Sequence, residues 1–141
     1  MSKSFSRFGP DMKRLSTKVE KNARVMISEI VAKSGTQLAR ETPIDTGRAS
    51  GNWQGSVGSP ILAESGVFFP GSSVGQMQIF KGAAISATGT PPMFLTNMVP
   101  YMQYLNRGWS PQAPTPFWIE RGIEKNILAV MSNKRYKLLR S

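Results

Sequence analysis

The chain contains no cysteine and no histidine. The first absence removes disulfides, thiol nucleophiles and thiolate metal ligands together. The second removes the commonest metal ligand and the one side chain whose unperturbed pKa suits proton transfer at neutral pH. Acid is scarce as well: eight Asp and Glu stand against eighteen Lys and Arg in 141 residues, a formal net charge of +10. A catalyst would have to run on those carboxylates, on lysines and on hydroxyls, so the expectation is a non-enzyme with no cofactor and no metal. Nor is there an apolar run approaching the roughly 20 residues that span a bilayer. The segment MSKSFSRFGP is basic but lacks the apolar stretch of a secretory signal. The expected protein is soluble, made in the cytosol, and has no membrane partner.

What is present suits one modest core with many turns: hydrophobic residues make up 40%, with 13 Gly and 10 Pro. A single domain over 1–141 is expected. The charge is uneven. Residues 1–41 hold nine basic and four acidic side chains, 42–115 three and two, and 116–141 six and two. Two basic ends flank a nearly neutral middle. A polyanion such as DNA is the obvious partner for such ends, and a solvated, solubilising surface is the bland alternative.

Residues 1–10 read as a flexible arm, closed by the breakers Gly9-Pro10. Residues 11–41 read as a long amphipathic helix. Leu15, Val19, Ala23, Met26, Ile30, Ser34 and Leu38 recur at spacings of three and four and form its apolar stripe. Pro43 ends it, since the residue before a proline is pushed out of the α region. The middle reads as strands: Gly51–Gly58 with Trp53 and Val57 on one face, Gln76–Ile85 by alternation, and Phe94–Val99. Between the first two, 58–76 reads as a long mobile loop. Its Phe68-Phe69 either waits for a neighbouring subunit or folds back onto the core. Pro100 opens a short helix that Gly108 closes in a left-handed cap. Thr115 and Pro116 suit the start of a last helix with Ile119, Ile123, Ile127 and Met131 at intervals of four, and a basic tail covers 132–141. The expected fold class is α+β: long N-terminal helix, antiparallel β-sheet, then a short helix and a C-terminal helix packed on one face of the sheet.

Asp45-Thr46-Gly47 matches the aspartic protease tripeptide, but it follows a helix end rather than an apolar strand and is followed by Arg48. Two such carboxylates must share a proton, so a chain this short would have to dimerise through the motif, and no apolar strand ending in glycine and a small polar residue matches the enzyme's second conserved segment. The structural reading accounts for the stretch Thr42-Pro43-Ile44-Asp45-Thr46-Gly47-Arg48 as a helix-to-strand corner. Pro43 stops the helix, Asp45 accepts backbone N–H groups in an Asx-turn, and Gly47 takes a positive φ.

With the long basic helix, the corner TPIDTGR, the strand opening GNW, the segment YMQYLNRGWSPQAP and a closing helix, the chain resembles the phage neck and tail-completion (head–tail joining) proteins over roughly residues 12–131. The motif positions are Thr42, Pro43, Asp45, Thr46 and Gly47, then Tyr104, Leu105, Asn106, Gly108, Gln112 and Pro114. Asn106 stands where that family often carries an acidic residue, and the 58–76 loop is longer than expected. The resemblance implies a virion protein at the neck or top of the tail of a long-tailed phage. It further implies a homo-oligomeric ring, commonly a hexamer, without catalytic residues. Its neighbours would be neck or connector proteins and tail-tube or tail-terminator proteins, with genomic DNA in the lumen. Lys134, Arg135, Lys137 and Arg140 are the candidate DNA-facing residues. A tail-terminator subunit and a sequence-independent DNA-binding protein remain as alternative functions. The aromatic Tyr136 within the basic tail favours the latter, and the absence of any recognisable DNA-binding motif weighs against it.

Overall fold

A computed structural model describes residues 2–43, 47–66, 72–108 and 116–133. Its first element, helix α1 (Ser2–Glu41), runs for 40 residues, about 60 Å at 1.5 Å per residue. The expected arm at 1–10 is therefore a correction: the chain is helical from Ser2, straight through Pro10. A proline there forfeits one backbone hydrogen bond, and the helix continues on both sides of it.

The buried side of α1 also differs from the expected stripe. Ser34 and Leu38 are buried as anticipated, but Val19, Ala23, Met26 and Ile30 are only half-buried, and Leu15 is 46% exposed. The other buried positions are Ser28, Glu29, Ala32, Gly35 and Ala39, four of them small residues. Ser28, Ala32, Gly35 and Ala39 recur at helical spacing and let another helix approach closely. That helix is α2 (Ser72–Ser86), and its Met77 side chain lies where a Cβ on Gly35 would stand, 2.6 Å from its Sδ.

Helix α2 replaces the strand expected over Gln76–Ile85. Its buried residues are Ser73, Met77, Phe80 and Ala84, spaced four, three and four, whereas Ile79 of the supposed inward face is 76% exposed. The loop after 58 consequently ends before Ser72 and does not reach 76. Gly75 and Gly82 weaken α2 as a helix by roughly 1 kcal/mol each relative to alanine, so its tertiary contacts carry it.

Strands β1 (Gln54–Val57) and β2 (Met93–Thr96) pair antiparallel, with Gln54 opposite Thr96 and Val57 opposite Met93. Helix α2 lies between them in sequence. Among the described residues these two strands are the whole sheet. Two strands alone are marginal in water, and the cover comes from α1 and α2. The Phe80 ring packs directly on the β1 backbone at Gly55, where a Cβ would stand 2.7 Å from Phe80 Cγ. A 3-10 turn (Ser50–Asn52) leads into β1 through Trp53, which is 4% exposed.

Helix α3 (Met102–Asn106) follows Pro100 as expected, and Gly108 takes a left-handed φ of 85° after it. Helix α4 (Trp118–Met131) begins two residues later than expected, because Phe117 at φ 60° interrupts any start at Pro116. Its buried positions are Trp118, Gly122 and Val130; Ile119, Ile123 and Ile127 flank them half-buried, and Met131 is 41% exposed. The stripe is rotated by one residue, and its Gly122 faces Leu38 of α1, whose Cδ2 would lie 3.2 Å from a Cβ placed there. The result is α+β: a long N-terminal helix, a two-stranded antiparallel sheet and further helices packed about them.

Candidate functional site

The corner after α1 is built from side chains that bond inward. Thr42 is 1% exposed; its hydroxyl donates to Leu38 O, one turn back, and accepts the indole N–H of Trp53 at 2.8 Å. Ser50 donates to Ala39 O at 2.8 Å, and Ser73 of α2 donates to Ser50 O at 2.9 Å, so three segments are laced together under the corner. Gly47 is buried at φ 82°, the positive value anticipated for the reversal. Pro43 is half-buried, and Asp45 and Thr46 lie outside the described residues.

Arg48 turns outward. Its Nε and Nη2 donate to the two carboxylate oxygens of Glu64 at 2.7 and 2.6 Å, a fork-to-fork pair. Its guanidinium also stands 5.6 Å from the centroid of the Tyr101 ring. The bonded Arg48 donors hold the Glu64 carboxyl below the usual carboxylate range. Beside this pair, buried Asn52 donates to Arg48 O at 2.6 Å and accepts the Ser65 backbone N–H at 2.6 Å. Gln54 donates to Ala63 O at 2.8 Å. The described part of the loop expected to be mobile is thus fastened at 63, 64 and 65. Glu64, Asn52 and Ser65 were not singled out from sequence, and only the isolated acid in a neutral stretch hinted at a partner for Arg48.

The second motif segment performs a comparable task. The Asn106 amide oxygen accepts the Ile119 backbone N–H at 3.0 Å, and its NH2 reaches both carboxylate oxygens of Glu120 at 2.9 Å. Asn106 therefore caps α4 from thirteen residues away in sequence, replacing the usual adjacent cap. Trp118 Nε1 donates to Leu105 O at 3.0 Å and closes the same junction. Leu105 is half-buried against the core, whereas Tyr104 is 38% exposed. Through Tyr101 beneath Arg48, the two motif segments come within contact of each other. Phe68, Phe69, Gln112, Pro114, Lys134, Arg135, Lys137 and Arg140 lie outside the described residues.

Two further features were missed in sequence. Phe117 is the non-glycine residue with positive φ among those described, and it leaves its ring 54% exposed. Residues 9–18 of α1 are exposed on every side, with Met12 at 49% and Leu15 at 46%. Met12, Leu15, Val19 and Ala23 lie along one side of this projecting segment. Arg14, Lys21 and Arg24 occupy the opposite side.

Among the described residues no group of three or more acidic side chains is gathered as a metal site, and no helix is long and apolar enough to cross a membrane. The chain matches no family model, no curated protein and no solved structure.

Proposed function

We infer that the chain is a structural subunit of a long-tailed phage virion, a neck or tail-completion protein that assembles as a ring and joins tail to head. The observation that carries this reading is the projecting half of α1. Over residues 9–18 this helix exposes the apolar Met12 and Leu15 with no other described element packed on them, and isolated helices of this length are marginal in water. Such a segment gains its stability from a neighbouring subunit. The motif residues that resemble the family support the same reading by their chemistry. Thr42, Gly47, Arg48, Asn106 and Gly108 hold elements in place and are committed to contacts within the chain.

The partners in this reading are further copies of the chain, sixfold in the resembled family, then the neck or connector and tail-tube proteins above and below, with DNA in the lumen. A tail-terminator position would use the same ring geometry. The test is genetic: phage lacking the gene should accumulate DNA-filled heads and unjoined tails, restored to infectivity by the purified protein. Normal infectious particles without it would end this reading.

A further inference from the structure

Away from the corner, α1, α2 and α4 line an open cleft of about 560 Å³ whose charged residues, Lys33, Arg40 and Lys81, are all cations. Ala32, Lys33, Thr36, Gln37 and Arg40 form its α1 wall. Gln78 and Lys81 face it from α2, and Asn126 from α4. Three cations therefore converge from two helices. Lys33 is partly engaged, its Nζ lying 3.1 Å from Glu29 Oε1. Gln37 and Asn126 are committed to one another at 2.8 Å, and Gln37 also donates to Glu41 at 2.9 Å. These contacts neutralise or occupy the nearby acids and fix the amide wall. Arg40, Lys81, Thr36 and Gln78 have no hydrogen-bond or ion-pair partner among the described residues, so their donors are free to serve a ligand.

We propose that this three-helix cleft binds a phosphate ester. A carboxylate offers two acceptor oxygens and one charge, which leaves most of these donors unused. A phosphate ester offers more acceptor oxygens, and Arg40 presents a planar fork suited to two of them while Lys81 supplies a point charge from the facing helix. The volume falls within the range of small-ligand sites and exceeds what one inorganic ion needs, so the rest of the ester has room over Ala32. The phosphate can come from a free nucleotide or from the backbone of a nucleic acid. This inference does not depend on how the subunits assemble.

The experiment is a calorimetric titration of the full chain with AMP and, separately, with a short DNA duplex at moderate salt. Arg40→Gln combined with Lys81→Gln should weaken binding by at least about tenfold, since it removes both cations that no described residue pairs. Arg40→Gln alone, at an exposed position, should produce part of that loss with an unchanged melting curve. Lys13→Gln with Lys18→Gln, on the projecting half of α1, should leave AMP binding intact while removing the same formal charge. Loss of AMP binding alone in the cleft variant assigns the site to free esters, and parallel loss for the duplex assigns it to backbone phosphate. Three results would overturn the proposal: saturable binding of neither probe, an equal loss in both double variants, or tighter competition by a polyglutamate peptide than by either phosphate.

Discussion

The indole N–H of Trp53 donates to the hydroxyl of Thr42 at 2.8 Å, joining the last turn of α1 to the residue that opens β1. Both side chains are nearly inaccessible to solvent, so no water replaces either partner. The hydroxyl works in both directions: it accepts from the indole and donates its proton to Leu38 O. Leu38 O has a second donor in the Thr42 backbone N–H at 2.8 Å, whereas among the described residues the indole N–H has this one acceptor.

Thr42→Val keeps the shape and removes the acceptor. The buried indole N–H is then orphaned, and the expected cost is about 1–3 kcal/mol. Thr42→Ser should cost less, because it keeps the hydroxyl and loses only a methyl. Chemical denaturation of the two variants measures the difference. Equal stability of Thr42→Val and wild type would mean the corner does not depend on this bond.

The Arg48–Glu64 pair makes a pH prediction. The carboxyl of Glu64 is held below its ordinary value by the Arg48 donors, so its ionised form is favoured in the folded chain. A depressed carboxylate contributes stability that is present above its unfolded pKa and is lost as pH falls through the folded one. The fastening of loop residues 63–65 should therefore be intact at neutral pH and weaken only once pH falls below the ordinary carboxylate range. Amide exchange at Ser65 reports it directly, and in Glu64→Gln that exchange should be fast at neutral pH and insensitive to acid. Because both side chains are partly exposed, the effect on global melting should be small.

Asn106 explains its own departure from the acidic residue that the resembled family often carries. Its oxygen caps α4 and its NH2 lies against both oxygens of Glu120. Asn106→Asp would keep the cap and set two carboxylates face to face. The expected result is a loss of about 1 kcal/mol relative to wild type. In the Glu120→Gln background the same substitution should be neutral or mildly stabilising. A double-mutant cycle followed by thermal melting measures this coupling, and additive effects would show that the two side chains do not interact.

How much of this was legible beforehand depends on which residues carried the information. The α+β class, the end of α1, the corner glycine and the short helix closed by Gly108 all rest on strong local signals. Proline and glycine restrict the backbone whatever packs around them. The strand at β1 was legible because Trp53 and Val57 alternate with polar residues. The failures have one physical origin. Over Gln76–Ile85 an alternating pattern and a helical pattern coexist, and the arbiter was Gly55, distant in sequence, whose missing side chain admits Phe80. On α1 the buried side was marked by Ser28, Ala32, Gly35 and Ala39, which hydrophobicity weights too lightly. Close approach between helices selects small residues, and a search for large apolar ones finds a neighbouring stripe that is half-buried over most of its length. Glu64 and Asn126 were invisible for a related reason: each meets a side chain, Arg48 and Gln37 respectively, that only the fold brings close.

The projecting half of α1 gives the prediction that bears most directly on assembly. Met12 and Leu15 are 49% and 46% exposed on a segment against which no other described element packs. In a monomer their replacement should cost little, because no other described element packs on them. In a ring whose subunits bury this side, each apolar side chain is worth roughly 1.5–3 kcal/mol, and a buried unpaired charge costs more. Met12→Glu combined with Leu15→Glu should therefore leave circular dichroism and the melting temperature of dilute protein near wild type. At assembling concentrations the same variant should stay monomeric in sedimentation velocity while wild type forms a larger species. Phe117 offers a parallel case, since its ring is exposed while its backbone sits in a region costing about 1–3 kcal/mol for a non-glycine residue. Phe117→Gly should raise the melting temperature, and if the ring contacts a neighbour it should also weaken assembly. Wild-type assembly by the Met12/Leu15 variant would remove the projecting helix from the subunit interface. Wild-type protein that stays monomeric at every concentration tested would count against a ring formed by this chain alone.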